Sequence, residues 1–398
     1  MKIAYVTVQF PYGPHEAFFA SEVRELVALE HEVTVIPTRP RAAFIPYRAF
    51  KAGVLRLPLF GLRTLALAAG EAIRRPAAVL RVVRHIAGAR HGRDAKLKNL
   101  AVLPKALAVA AEARRLGIEH VHALWLSTPA TVAYVVSELT GIPWSCSAHR
   151  FDVFTDNLLR NKVESAAFVR AISENTRRLL VERAGEDVGD RCRVAHLGVD
   201  VPARLHVRRK DRTLRLLCPA QLVPKKGHKY LLRALALLHE HGIPFECDLA
   251  GDGPLSDEVR REVTELGLAA CVSLCGNVPH DILLSRLERS FYDAVVLASV
   301  DIDGQPGEGI PVSLMEAMAV GIPCIATRTG GVTELIDDPR CSRVVPQRDA
   351  AALAAAIAEF ALDPQRRVDI GTRARKRICD AFDVKTTTQE LCELIGAT

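Results

Sequence analysis

Aromatic residues are scarce in this chain: they make up 5% of its 398 residues, and only two of them are tryptophan. Alanine, leucine, valine and isoleucine dominate a hydrophobic fraction of 49%, which is typical of a folded protein and excludes wholesale disorder. Few aromatics with many aliphatics favour helices packed on buried sheets over an aromatic-rich β-sandwich. At roughly 150 residues per domain, the length predicts two or three domains.

Several other features are absent, and each absence excludes a class of protein. The ten cysteines form no CxxC pair and no disulfide-like spacing, so we expect free thiols in a reducing cytoplasm. No run of about 18 residues is apolar enough to span a bilayer, and the amino-terminal MKIAYVTVQFPYG lacks the core and cleavage site of a signal peptide. The first apolar run is not followed by GxGxxG, which argues against a dehydrogenase. A cytoplasmic location is therefore expected.

Positive charge is concentrated in one segment. Residues 41–100 contain 13 Lys and Arg with only Glu71 and Asp94 as acids, so they carry +11 while the rest of the chain carries −4 of the net +7. This distribution argues against a general nucleic-acid-binding protein. The mixture of Arg with Leu, Ala, Val and Phe is typical of amphipathic helices with a basic polar face. Two interpretations stay open: solvated surface helices, or a face that docks on anionic lipid.

Short apolar runs alternate with helical patterns along the whole chain. Because these runs show no apolar–polar alternation, they are typical of strands buried on both faces, as in a parallel sheet. The polar segment 201–213 separates two such series and is predicted to be a linker. The pattern predicts an α/β fold of two doubly wound, Rossmann-like domains in tandem that face a cleft.

The segment PGEGIPVSLMEAMAVG, at 306–321, holds two glutamates eight positions apart, Glu308 and Glu316. Pro311 suits the first position of a helix and Gly321 its end, so we predict a helix between them. A glycine-rich loop before a helix offers free amides and the positive end of the helix dipole, which bind phosphate. Glu316 is then placed to accept hydrogen bonds from a ribose, and Glu308 from a sugar. On spacing alone, two ordinary solvated carboxylates remain the alternative.

With its continuation IPCIATRTGGVTELI, this segment resembles the retaining glycosyltransferases of family 4, which have the GT-B fold. Six further segments resemble the same family in the same order, and only residues 38–118 resemble it weakly. They are SAHRFDVF, AISENTRRLL, HLGVD, LLCPAQLVPKKGHKYLLRAL, DLAGDGPLSDEV and LCGNVPH. The resemblance implies transfer of a sugar from a nucleotide-diphosphate sugar to a hydroxyl acceptor, with retention, in the biosynthesis of a glycan, glycolipid or glycosylated metabolite.

The resemblance also implies a role for each matching residue. Glu316 binds the nucleotide ribose, Glu308 contacts the donor sugar and Lys226 neutralises the diphosphate. His149 lies close to the donor sugar, so the implied catalytic residues are His149, Glu308 and Lys226. The other implied donor contacts are Gln221, Lys225, Gly253, Asn277 and the backbone amides near Gly309 and Ile310.

One position departs from the family pattern. The family usually has an Arg where this chain has Gln221, which can still donate a hydrogen bond but supplies no charge. Loss of a charge-assisted contact costs about 1.5–3 kcal/mol. Arg328 and Lys225 are the candidate replacements, and nothing in the sequence decides between them.

The resemblance assigns the acceptor to an amino-terminal domain at 1–200 and the donor to a carboxyl-terminal domain at 201–378. A last helix at 379–398 is expected to return to the first domain. Acceptor contacts are expected from Asp152 and from the loop after the first strand, since α/β sheets bind ligands there. The candidates in that loop are Gly13, His15 and Glu16. Docking of the basic segment on anionic lipid would then bring the enzyme to a lipid-linked acceptor.

Two other motifs are not expected to take part in chemistry. Asp301 and Asp303 form the DxD of other glycosyltransferases, but the GT-B family handles charge with side chains and a helix end, so no metal or other cofactor is expected. His120 and His122 lie on a buried strand pattern and are interpreted as structural. Two alternative functions stay open. They are a GT-B nucleotide-sugar epimerase and a non-catalytic protein that binds a sugar nucleotide.

Overall fold

The computed structural model describes residues 1–13, 16–40, 42–45, 51–88, 92–203, 213–305 and 307–398. These residues divide into two compact units. We call Met1–Gly198 with Val384–Thr398 the N-unit, and Val199–Asp383 the C-unit.

The N-unit contains a parallel sheet whose strand order is β3-β2-β1-β4-β5-β6-β7. Chain order runs outward from β1 in one direction and from β4 in the other, so the topological switch point lies between β1 and β4. Strands β4, β5 and β6 are buried along their whole length, as continuous apolar runs predict. The strands are β1 (Lys2–Thr7), β2 (Glu32–Pro37), β3 (Gly53–Val54), β4 (His120–Ala123), β5 (Trp144–Ala148), β6 (Phe168–Ala171) and β7 (Cys192–Val194).

Helices connect these strands, and the last helix of the chain also belongs to this unit. They are α1 (Phe19–Ala28), α2 (Leu62–Arg74), α3 (Pro76–Gly88), α4 (Arg93–Leu116), α5 (Thr128–Thr140), α6 (Arg150–Thr155), α7 (Leu159–Ser165), α8 (Glu174–Ala184) and α16 (Val384–Gly396). Leu391 and Ile395 of α16 share a buried cluster with Phe19 and Val23 of α1. This cluster ties the carboxyl terminus to the N-unit.

The C-unit contains a second parallel sheet, in the order β10-β9-β8-β11-β12-β13, with its switch point between β8 and β11. Its strands are β8 (Leu214–Cys218), β9 (Phe245–Ala250), β10 (Val272–Gly276), β11 (Ala294–Leu297), β12 (Cys324–Thr327) and β13 (Arg343–Val345). Its helices are α9 (His228–Glu240), α10 (Ser256–Glu265), α11 (His280–Glu288), α12 (Val312–Ala319), α13 (Val332–Leu335), α14 (Ala350–Leu362) and α15 (Pro364–Ala381).

Helix α2 departs from the predicted amphipathic pattern with a basic polar face. Its buried side carries Thr64 and Glu71, and the Glu71 carboxylate pairs with Arg114 of α4 at 2.7 Å. The opposite side exposes an apolar stripe, because positions four, three and four residues apart share one helix face. We call Leu62, Ala66, Ala69 and Ile73 the α2 stripe; Leu62 is 90% and Ile73 81% exposed. Apolar residues thus face outward on this side of α2, while its inward side buries Ala68 together with the Glu71 carboxylate.

The described helices include none that combines the length and the apolar character needed to cross a membrane.

Candidate functional site

Lys226 and Glu308 meet at the switch point of the C-unit. Lys226 lies in the turn after β8, and Glu308 lies in the loop between β11 and α12. The Nζ atom of Lys226 is 2.8 Å from Oε1 of Glu308, and both side chains are largely buried. Because partial burial reduces solvent screening, this pair is held more firmly than a surface salt bridge. A cation and a carboxylate therefore stand together at the sheet edge where α/β folds bind ligands.

The turn that carries Lys226 depends on Gly227. Residues 224–226 form one tight helical turn, and Gly227 follows it with a φ of +64°. A Cβ atom on Gly227 would lie 2.0 Å from the carbonyl oxygen of Ala298, just after β11. The amide of Val300 also donates to the carbonyl of Lys225 at 2.8 Å. The Lys226 turn is thus fastened directly to the β11 loop.

The loop that carries Glu308 is held by a glycine pair after β12. A Cβ atom on Gly330, which has a φ of +44°, would lie 1.7 Å from the carbonyl oxygen of Glu308. The Gly331 amide donates to the same oxygen at 3.3 Å. Sequence analysis assigned no role to this pair, although it lies within the motif that carries the family resemblance. Its role is to let the two backbones touch and so fix Glu308.

Two backbone amides beside Glu308 have no acceptor within the described parts of the chain. They belong to Gly309 and Ile310, just before α12. Helix α12 begins at Val312, one residue later than predicted, because Pro311 has an extended ψ of 116° and precedes the helix. Gly321 ends the helix with a φ of +79°. Free amides and the positive helix end make this loop suitable for an anion.

Glu316, on α12, is paired with a residue that sequence analysis missed. The Nε2 atom of His280, at the start of α11, is 2.6 Å from Oε1 of Glu316. Burial is the largest single influence and lowers the pKa of His280, but the hydrogen bond to Glu316 and the negative charges of Glu316 and Asp281 together outweigh it, so the pKa is raised above 6.5. His280 ends the LCGNVPH segment, which resembles the glycosyltransferase family, but no role was assigned to this histidine. Its place after β10, on the ligand-binding side of the sheet, was a second signal.

The remaining predicted donor residues lie in loops at the carboxyl ends of β8, β9 and β10. Gln221 and Asn277 are exposed, and Lys225 is partly exposed. Gly253 has a packing role, since a Cβ atom there would lie 2.5 Å from the carbonyl oxygen of Leu222. Its amide donates to Oδ1 of Asp252 at 2.7 Å. Gly253 therefore allows the loops after β8 and β9 to pack closely together. Gln221 supplies no positive charge where the family usually has an Arg.

The predicted acceptor residue Glu16 turns inward. Its carboxylate accepts hydrogen bonds from the amides of Val8, Gln9 and Phe10, at 3.1, 2.5 and 2.7 Å. A fourth donor is the indole N–H of Trp125, at 2.5 Å. This geometry gives Glu16 a positioning role in the β1 loop instead of the expected direct contact with an acceptor.

The other two predicted acceptor residues in this loop are Gly13 and His15. Gly13 has a φ of +81° and donates its amide to the carbonyl of Ala43 at 3.1 Å. His15 lies outside the described residues.

His149 follows β5 and is stacked on Trp125, with ring centroids 4.1 Å apart. Its Nε2 donates to the carbonyl of Leu124 at 3.2 Å. Burial lowers the pKa of His149 to about 3, so the imidazole is neutral at physiological pH. The structure thus places His149 at the predicted sheet edge as a neutral, largely buried ring.

Asp152 and Lys162 fasten the loop after β4. The Asp152 carboxylate accepts from the amides of Leu126 and His149, at 3.2 and 3.3 Å. The Lys162 ammonium donates to the carbonyls of Leu126 and Ser127, both at 2.8 Å. Burial raises the pKa of Asp152 to about 7 and lowers that of Lys162 to about 7. Asp152, expected on the acceptor side, therefore holds that loop in place.

The DxD motif is engaged in loop contacts. The amide of Asp301 donates to Oε1 of Gln347 at 2.7 Å, and Nε2 of Gln347 donates to the Asp301 carboxylate at 2.8 Å. Among the described residues, no cluster of three or more His, Cys, Asp or Glu side chains is suited to hold a metal. His120 and His122 are buried and share the hydroxyl of Ser145, at 2.7 and 2.8 Å.

Comparison with known proteins relates the C-unit to one family. Residues 206–377 match the family model described as glycosyl transferases group 1. The colanic acid biosynthesis glycosyltransferase WcaL of Salmonella typhimurium is 32% identical over 211 residues, which are 52% of this chain and 51% of that protein. The chain thus spans about half the length of the curated relatives it matches.

Two solved structures match the whole chain. Sucrose-phosphate synthase of Thermosynechococcus elongatus, 19% identical, matches 100% of this chain and 98% of its own with a TM-score of 0.75. HepE of Anabaena, solved with UDP and 18% identical, matches over 100% of both chains with a TM-score of 0.71. The predicted fold class is confirmed: the chain has the GT-B fold of these two proteins, and its residues 206–377 match the group 1 glycosyl transferases.

Proposed function

We propose that this chain is a retaining glycosyltransferase that moves a sugar from a nucleotide-diphosphate sugar, bound by the C-unit, to a hydroxyl acceptor. The observation that carries the proposal is the Lys226–Glu308 pair at the switch point, beside the amides of Gly309 and Ile310, which have no acceptor among the described residues. The group 1 match covers the residues of this pair. HepE, which shares the fold, was solved with UDP.

Each charged group of the site has a distinct task in this proposal. The Lys226 ammonium and the Gly309 and Ile310 amides bind the diphosphate, whose negative charge grows as the sugar–phosphate bond breaks. The Glu308 carboxylate accepts hydrogen bonds from the donor sugar, and Glu316 accepts them from the ribose diol. Stabilisation by preorganised donors is strongest where water is excluded, and both Lys226 and Glu308 are largely buried.

The proposed reaction needs no covalent enzyme intermediate. The bond between the sugar anomeric carbon and the phosphate oxygen breaks, and the acceptor oxygen forms its bond on the same face of the sugar. The acceptor proton passes to the departing phosphate. His149 stays a predicted contact of the donor sugar, and its neutral imidazole suits a hydrogen bond better than a charge interaction.

We expect the reaction to require no metal, because Lys226, the two amides and the start of α12 supply positive potential where the diphosphate binds. Gln221 leaves this set one cation short of the family pattern. Arg328, exposed just after β12, and Lys225 are the groups we propose as replacements.

The experiment offers UDP- and GDP-sugars to the purified chain, with a cell extract as the source of acceptors. The proposal predicts release of nucleoside diphosphate that depends on the acceptor, together with a heavier acceptor by mass spectrometry. An epimerised sugar formed without acceptor would favour an epimerase. Tight nucleotide binding without turnover over the whole panel would favour a non-catalytic binding protein.

We further propose that the N-unit docks on an anionic membrane to reach a lipid-linked acceptor. The α2 stripe presents apolar side chains to solvent, and Arg74 and Arg75 follow at its end. In the described part of the chain, neither Arg has a carboxylate within ion-pair distance. Because residues 41–100 carry +11, two copies of this surface repel each other, whereas anionic lipid attracts it. A lipid surface therefore fits better than a second copy of the chain.

A further inference from the structure

Trp125 occupies an unusual position for one of only two tryptophans. It follows β4 directly, at the switch point of the N-unit sheet, where α/β folds bind ligands. Trp125 is partly exposed, whereas Trp144 at the start of β5 is 1% exposed and belongs to the core. A partly exposed aromatic side chain at the edge where α/β sheets bind ligands is placed to contact a ligand.

The indole is locked by a polar contact. Its N–H donates to Oε1 of Glu16 at 2.5 Å. Glu16 is 3% exposed and is itself held by backbone amides of the β1 loop. A buried carboxylate with four donors fixes the direction of the ring edge, because any rotation would leave that carboxylate short of a partner.

Two further rings pack against the indole and limit the surface that a ligand can reach. His149 covers one face, with a centroid distance of 4.1 Å and an interplanar angle of 29°. Phe19 stands perpendicular to both rings, 6.0 Å from Trp125 and 5.9 Å from His149. Since those two distances are nearly equal, Phe19 lies beside the stack and does not cover the second face of Trp125.

The backbone that carries Trp125 is also fixed. Asp152 and Lys162 hold the residues that follow it, Leu126 and Ser127, through the hydrogen bonds described above. The indole is thus oriented by the hydrogen bond at its edge, by His149 on one face, by Phe19 at one side and by the fixed backbone that follows it. A rigid aromatic surface of this kind binds with little loss of conformational freedom.

We propose that Trp125 is the platform of a saccharide subsite, on which a pyranose ring of the acceptor stacks against the face opposite His149. The C–H groups on one side of a pyranose are weakly positive and meet the negative face of the indole. The sugar hydroxyls stay at the rim, in reach of polar loop groups. That the stacked sugar belongs to the acceptor rests on the proposed function. The subsite itself lies wholly in the N-unit and binds a sugar without a bound donor.

The two-tryptophan composition allows a direct test in the full chain. In Trp144→Phe, Trp125 is the sole tryptophan, and its emission is titrated with methyl β-D-glucopyranoside, methyl α-D-mannopyranoside and methyl β-D-galactopyranoside. We expect saturable quenching or a blue shift with at least one of them, and none with the acyclic polyol mannitol. In Trp125→Phe, the buried Trp144 should not respond. An unchanged emission with all three glycosides, or an equal response to mannitol, overturns the proposal.

A second readout separates this subsite from the donor site. Trp125→Phe keeps a ring against His149, and circular dichroism checks its fold. Calorimetric titration with UDP and GDP should be the same in Trp125→Phe and wild type, whereas the acceptor KM should rise, because the smaller ring offers less stacking surface and loses the hydrogen bond that orients it. An unchanged acceptor KM contradicts the platform even if the donor proposal holds. A glycoside response without nucleotide binding would instead leave the platform standing and contradict the donor proposal.

Discussion

Nε2 of His280 lies 2.6 Å from Oε1 of Glu316, the carboxylate proposed to bind the nucleotide ribose. When His280 is protonated, one of the two oxygens needed for a ribose diol is therefore already engaged. Asp281, next to His280, adds a second negative charge that favours the protonated state. We therefore expect the pair to make donor binding sensitive to pH.

We predict that nucleotide affinity increases, by up to about fivefold, as the pH rises through the raised pKa of His280, above 6.5. The sign follows from linkage: the ion pair stabilises the free protein at low pH and is lost as His280 deprotonates. His280→Asn should remove this pH dependence, whereas His239→Asn, at an exposed position on α9, should keep it. Calorimetry from pH 6 to about 9 measures it, and equal slopes in all three proteins would contradict the competition.

Two adjacent lysines permit a matched test of the diphosphate contact. Lys226 pairs with Glu308, whereas the structural bond of Lys225 comes from its backbone carbonyl. Lys226→Ala should lower turnover by about 10- to 150-fold, since a charged hydrogen bond contributes about 1.5–3 kcal/mol. Lys225→Ala should change the rate much less if Arg328, and not Lys225, supplies the charge missing at Gln221.

Steady-state nucleotide release from both variants shows which lysine contacts the diphosphate. If Lys225→Ala loses as much activity as Lys226→Ala, Lys225 replaces the missing charge at Gln221. If only Lys225→Ala loses activity, the assignment of Lys226 is wrong.

The contact between Gly330 and Glu308 predicts a site defect caused by one methyl group. In Gly330→Ala, the added carbon would lie 1.7 Å from the Glu308 carbonyl oxygen, so the Glu308 loop must move. Gly242→Ala is the control, because Gly242 also has a positive φ, of +66°, but open space around it. Both variants should lose about 1 kcal/mol of unfolding free energy through backbone strain.

Only Gly330→Ala should also lose nucleotide affinity. Thermal unfolding and calorimetry measured on the same samples separate the two effects. Normal nucleotide binding by a folded Gly330→Ala protein would show that the glycine pair does not position Glu308.

The α2 stripe predicts membrane binding that one charge abolishes. Ile73→Glu replaces one of the two large apolar side chains of the α2 stripe with a carboxylate that anionic lipid repels, so co-sedimentation with phosphatidylglycerol vesicles should be lost. Leu362→Glu is the control, because Leu362 is also strongly exposed, at 73%, but ends α14 of the C-unit. Wild-type binding should weaken with salt. Equal binding of all three proteins would contradict docking through α2.

The sequence predicts the sheets of both units because their strands are continuous apolar runs, and it predicts Glu308, Glu316 and Lys226 because they lie in recognisable motifs. It could not predict the pairing of His280 with Glu316, since 36 residues separate them and only the sheet order brings the loops together. Glu16 was expected to face a ligand, but the amides of its own loop and the Trp125 indole take up its carboxylate. These contacts depend on hydrogen bonds that form only in the tertiary structure, and a local sequence pattern does not encode them.

Helix α2 illustrates the same limit in a different way. The composition of residues 41–100 predicts amphipathic helices, but it does not state which side packs against the protein. The Glu71–Arg114 pair buries a carboxylate that composition would place in solvent, and the α2 stripe is left outside although Ala68 of the same helix is buried. Which side of an amphipathic helix packs inward therefore depends on the tertiary packing of the whole unit.

Donor binding through Glu316 and its neighbours in the C-unit underlies the proposed transfer of a sugar from a nucleotide-diphosphate sugar. Nucleotide release from the preferred nucleotide-sugar is measured for wild type, Glu316→Ala and the control Glu265→Ala, an exposed position at the end of α10. We expect Glu265→Ala to match wild type and Glu316→Ala to lose at least about tenfold in kcat/KM. Full turnover by Glu316→Ala would show that Glu316 does not bind the donor.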